Sequence, residues 1–171
     1  LTTIKEREHK ADEGKPEDDE TKFFRRNRAW LSLCMTMHDR AMLKPPGDAV
    51  RIQQFTQAIE QTVLFLEETD GYIFGFHASN WVGMCYWHRG QMQKGWSGED
   101  IRSAREYFAG TIAGADVSNI EQEWPDLVDL IFQSTGNYGK MCNEVGNLDG
   151  VDYPKLLHEE VKKLAGRLPS I

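Results

Sequence analysis

The chain has 171 residues, a mass of 19.6 kDa and a formal net charge of −7, enough length for one domain with its own core. Five Trp and eight Phe supply large packing units, so folding calls for no staple or cofactor. Cys34, Cys85 and Cys142 are odd in number and widely spaced, which argues against a disulfide framework and points to a reducing, intracellular compartment; no apolar run reaches the ~20 residues of a membrane span.

The chain opens at Leu1 rather than Met, as a processed product or an expressed piece of a longer chain would, and a targeting signal removed earlier would leave no trace. Charge is unevenly distributed. Residues 1–20 carry −4, residues 21–45 carry +5 and residues 46–171 carry −8, so a basic segment sits on an acidic body.

Residues 1–16 mix both signs of charge with almost no apolar side chains and read as a flexible arm that orders only on a partner. Residues 17–171 read as a single helical domain. After Pro16, the acidic run Glu17 to Glu20 suits a helix N-terminus. That helix continues to about Leu43, with Phe23, Trp30, Cys34, Met37 and Ala41 as its apolar stripe and Phe24, Leu31, Met35 and Met42 widening it. Pro45-Pro46-Gly47 ends it.

A second helix spans about Asp48 to Glu68, with Ile52, Phe55, Ile59, Val63 and Leu66 inward, and Thr69-Asp70-Gly71 turns the chain. The stretch Gly71 to Gly95 is the most aromatic part of the sequence. Phe74, Ala78, Trp81, Cys85, His88 and Met92 recur at helical spacing, and Gly75, Ser79 and Gly83 form a small-residue face for close helix approach. Its residue types also suit a β-hairpin over 72–88, but Ser79-Asn80 is a poor hairpin turn, and the helix is favoured. It closes at Lys94-Gly95-Trp96.

Ser97 to Asp100 resembles a capping box for a fourth helix ending near Gly114, and Ser118 to Glu121 is a fuller one. A new helix starts at Pro125 and ends at Gly146, with Gly136 and Gly139 as weak points. The last runs from about Tyr153 to Ala165, with Tyr153, Leu157, Val161 and Leu164 inward. The expectation is an all-α, compact bundle of about six helices around a buried, aromatic-rich central helix.

Four groupings carry chemistry. Cys34 with His38, and Cys85 with His88, each share one helix face, and two antiparallel helices could unite them as a tetrahedral Cys2His2 zinc site. Packing is the plainer use of both cysteines. His77, Trp81, Tyr86 and His88, with Tyr72 nearby, could line a polar pocket for an enzyme or sensor, although His77 and His88 stand about 16 Å apart along the helix at ~1.5 Å per residue. Arg25, Arg26 and Arg28 interleave with Phe23, Phe24 and Trp30, a composition suited to RNA or to an acidic protein surface. Asp126 and Asp129, ahead of Leu130-Ile131-Phe132, resemble the second acidic half-motif of the all-α nucleotide pyrophosphohydrolases of the MazG kind, which hold Mg2+ between helices. The likeness covers about eight residues, and the E-x-x-E pair of that family is missing upstream, where Glu99 and Glu106 have the wrong spacing.

No G-x-S-x-G motif or glycine-rich phosphate loop occurs. The reading is therefore an interaction or assembly subunit, using the basic first helix and the arm to contact a protein partner or another copy. An enzyme or sensor around the His/Tyr pocket is the alternative, and a nucleic-acid-binding or coat-type protein a third.

Overall fold

A computed structural model describes residues 18–114 and 125–166, with side chains described from 127 onward in the second segment. The charged arm, Glu17 and the box at Ser118 to Glu121 lie outside the described residues. Six helices are present among those described: α1 (Asp19–Met42), α2 (Ala49–Thr69), α3 (Ile73–Arg89), α4 (Gly98–Gly114), α5 (Pro125–Val145) and α6 (Tyr153–Ala165). Two short strands, β1 (Asn147–Leu148) and β2 (Val151–Asp152), pair antiparallel between α5 and α6.

Local chemistry sets most of these boundaries. Asp18 caps α1 by accepting from the Thr21 amide, and Asp48 caps α2 through the amides of Val50 and Arg51. Asp152 accepts from the Lys155 amide to start α6, and Pro154 occupies its first turn, where no amide is needed. Gly146 takes a positive φ of 64° just after α5, the left-handed conformation that lets a helix end sharply.

The stretch 72–88 is helix and not hairpin: α3 covers Ile73–Arg89 and is the middle of the bundle, packed on α1, α2, α4 and α5. Its small-residue face works by contact. A Cβ on Gly83 would lie 2.9 Å from the Phe108 ring of α4, and Ser79 donates to the Tyr107 carbonyl of the same helix. One core layer gathers Trp87, Ile101, Phe108, Tyr138 and Met141, and a second gathers Ala41, Phe55, Ala58, Ile59 and Cys85.

Several expectations change. The central helix stops at Gly90, not at Lys94-Gly95, because the chain turns back to form a bridge between Gln91 and Trp96; Met92 leaves the apolar stripe and is exposed. Ser97 receives only a long bond from the Asp100 amide, and the Asp100 carboxylate is bound by Arg89, so the box is half formed. Gly136 and Gly139 do not interrupt α5. Val161 is exposed rather than inward. The apolar face of α1 is also narrower than its sequence implies, since Phe24, Met35 and Met42 remain 37–42% exposed.

Candidate functional site

The most chemically organised grouping lies where the C-terminal ends of α1 and α3 meet. These helices run parallel, with Phe24 near Phe74 at one end and His38 near His88 at the other, an offset of fifty residues kept along the contact. The antiparallel arrangement envisaged for the Cys/His pairs is corrected by this geometry: α2 runs between α1 and α3 in the chain and reverses direction before α3 begins.

His38 is 5% exposed and His88 8%. Nε2 of His38 lies 2.8 Å from Nδ1 of His88, and Nδ1 of His38 lies 2.9 Å from the Asp39 carboxylate. The carboxylate selects the tautomer. It needs a proton on Nδ1 of His38, which leaves Nε2 as an acceptor and makes Nδ1 of His88 the donor. Nε2 of His88 then carries the outer lone pair of an Asp39–His38–His88 chain, and no described residue hydrogen-bonds to it. Trp81 stands edge-on to His38 at 5.1 Å, while Phe55 and Trp87 flank His88.

Burial sets the charge state of the pair. Desolvation pushes both imidazoles below their ordinary value of 6.5, and His88 reaches about 3 because the neighbouring His38 and the Arg51 cation add to it. The Asp39 carboxylate opposes that drop at His38 alone. Both rings are therefore neutral at pH 7.

Arg51 closes the site from α2. It is 4% exposed and donates to the carbonyls of Lys44 (2.8 Å) and His88 (3.2 Å) and to Gln91 Oε1 (2.6 Å), tying the turn after α1 to the end of α3. Its guanidinium also lies 5.3 Å from the Phe55 ring centroid. Sequence reasoning placed Arg51 on no functional face, because periodicity reports only where apolar residues point.

The other sequence candidates are distributed. Cys34 packs with Phe65, Phe74 and Ala78, and Cys85 packs with Phe55 and Ile59; burial raises both thiols, Cys85 most strongly. All three cysteines are free and buried. Among the described residues, no three His, Cys, Asp or Glu side chains group to hold a metal ion. Tyr86 faces α4, stacked on Tyr107 with the Arg89 cation over its ring, away from His38, and His77 is half-buried.

Arg25, Arg26 and Arg28 are exposed on α1, with Arg26 reaching Glu68 at 3.5 Å. A separate cleft of about 320 Å³ is lined by Gly71, Gly75, Ser79, Gly110 and Thr111, and its two hydroxyls already bond to one another. No helix among the described residues is long and apolar enough to cross a membrane.

No protein-family model, curated protein or solved structure matches this chain. The resemblance of Asp126 and Asp129 to a pyrophosphohydrolase half-motif gains no support there.

Proposed function

We propose that this protein is an assembly subunit that uses the outward face of α1 to contact a protein partner or another copy of itself. One observation carries the reading. Along a single helix, Phe24, Leu33, Met35 and Met42 remain 37–51% exposed among three exposed arginines. Large apolar side chains rimmed by arginine are the composition of protein interfaces rather than of solvated surface.

The charge contrast adds to this, since α1 belongs to the +5 segment of a chain whose remainder is acidic. Substituting Arg25, Arg26 and Arg28 together by Glu is expected to abolish association in sedimentation velocity while helix content by circular dichroism stays unchanged. Unchanged association would refute the reading.

A second reading is favoured by the lone pair left on Nε2 of His88. A relay that fixes one imidazole as an acceptor suits a proton-accepting or ligand-binding site. Native mass spectrometry of protein prepared without chelator tests it. Retained metal or organic mass that is lost in His88→Gln supports a ligand site, and bare protein counts against it.

A further inference from the structure

Leu33, 51% exposed, faces the opposite side of α1 from a flank whose apolar residues are arranged symmetrically about its level. Phe24 and Met42 lie nine residues either side of position 33, and Leu31 and Met35 lie two either side. At about 100° per residue all four fall on one flank of the helix, spread over ~27 Å of its length at ~1.5 Å rise. Phe24, Met35 and Met42 are exposed and Leu31 is half-buried.

Charge follows the same symmetry. Arg28 stands five residues before position 33 and Asp39 six after it, both exposed and on the rim of the same flank. The Asp39 side chain keeps 74% of its surface, and its bond to His38 Nδ1 holds the carboxylate in place while leaving an oxygen for a further partner.

Resting on the assembly reading above, we propose that the occupant of this face is α1 of a second copy, packed antiparallel about a two-fold axis level with Leu33. That axis sets Phe24 against Met42 of the second copy and Leu31 against its Met35. It also brings Arg28 to the other copy's Asp39, twice per dimer.

The charges select this direction. A parallel two-fold pair carries this rim on opposite sides of the seam in the two copies, so Arg28 meets no Asp39 and both ion pairs are lost. A uniformly acidic foreign partner would satisfy Arg28 but would meet Asp39 with its own sign. Only a surface carrying both signs in reverse order satisfies the whole flank, and an identical helix turned end for end is such a surface.

The test uses two full-length variants, Arg28→Glu and Asp39→Arg, each checked for helix content by circular dichroism. Wild type is expected to dimerise, and each variant alone to dimerise with a dissociation constant raised at least tenfold, because it faces like charge across the axis. An equimolar mixture is expected to recover the dimer as a heterodimer in native mass spectrometry. In that heterodimer the carboxylate introduced at position 28 of one variant meets the guanidinium introduced at position 39 of the other, and the unaltered Asp39 of the first meets the unaltered Arg28 of the second. Rescue in the mixture also shows that both variants fold.

Dimerisation of either variant at wild-type strength would overturn the proposal, as would variants that lose the dimer and do not recover it on mixing. The assembly reading is judged separately. If the triple Arg25, Arg26 and Arg28 to Glu variant loses association while these two keep it, the antiparallel pairing fails and α1 still makes the contact. If the triple variant associates like wild type, the reading itself fails.

Discussion

Replacing Arg51 by Met is expected to lower the unfolding free energy by about 3 kcal/mol. Met matches the length and apolar stem of Arg51 but cannot donate, so the carbonyls of Lys44 and His88 and the Gln91 amide oxygen lose a charged partner together. Hydrogen bonds to charged groups contribute about 1.5–3 kcal/mol each, and relief from burying a cation offsets part of that loss.

Both carbonyls lie at or just beyond helix C-termini, where unpaired acceptors and the helix dipole favour a cation. Arg51→Lys keeps the charge but not the fork, and recovers only part of the stability. Urea unfolding followed by circular dichroism measures both variants. A loss below about 1 kcal/mol for Arg51→Met would show that Arg51 is a surface residue in effect.

The second large effect is acid lability that begins near neutrality. The unfolded chain protonates His38 and His88 around their ordinary 6.5, whereas burial holds both folded imidazoles lower, His88 at about 3. Between those values the unfolded state binds more protons than the folded one. Stability is therefore complete above pH 6.5 and falls as the pH drops, at about 1.4 kcal/mol per pH unit for each histidine that titrates only on unfolding.

From pH 6.5 to pH 5, His88 alone accounts for about 2 kcal/mol. Asp39 limits the share of His38 by stabilising its charged form, while Arg51 acts against protonation of both. His88→Gln, whose amide can still donate to Nε2 of His38, is expected to flatten the slope of unfolding free energy against pH in that interval. An unchanged slope would mean that the buried pair does not control acid stability.

How much of this was legible follows from what each residue type announces. Pro45-Pro46-Gly47, Asp48, Asp70-Gly71, Pro125 and Asp152 mark ends that the structure keeps, because capping and the lack of a proline amide act within a few residues. The hairpin at Asp149-Gly150 was equally legible and went unread. Asp149 (φ 52°) and Gly150 (φ 79°) make the turn that an Asp-Gly pair between Leu148 and Val151 advertises, but its strands are two residues each and show no alternation.

The His38–His88 contact was half visible. Helical spacing put each histidine on a face with a cysteine, but which faces meet depends on the parallel course of α1 and α3, set by the turns around α2. Arg51 was invisible because its partners are backbone carbonyls, and these leave no trace in side-chain pattern. The exposed flank of α1 was misread for the opposite reason. Phe24, Met35 and Met42 carry the pattern of a core stripe, and sequence cannot say whether the surface they await belongs to the same chain or to another.

Native mass spectrometry of the wild-type protein, prepared without chelator and sampled across a range of concentrations, tests the assembly account most directly. It predicts a species at twice the 19.6 kDa chain mass that grows with concentration. Bare monomer at every concentration would contradict self-assembly through α1.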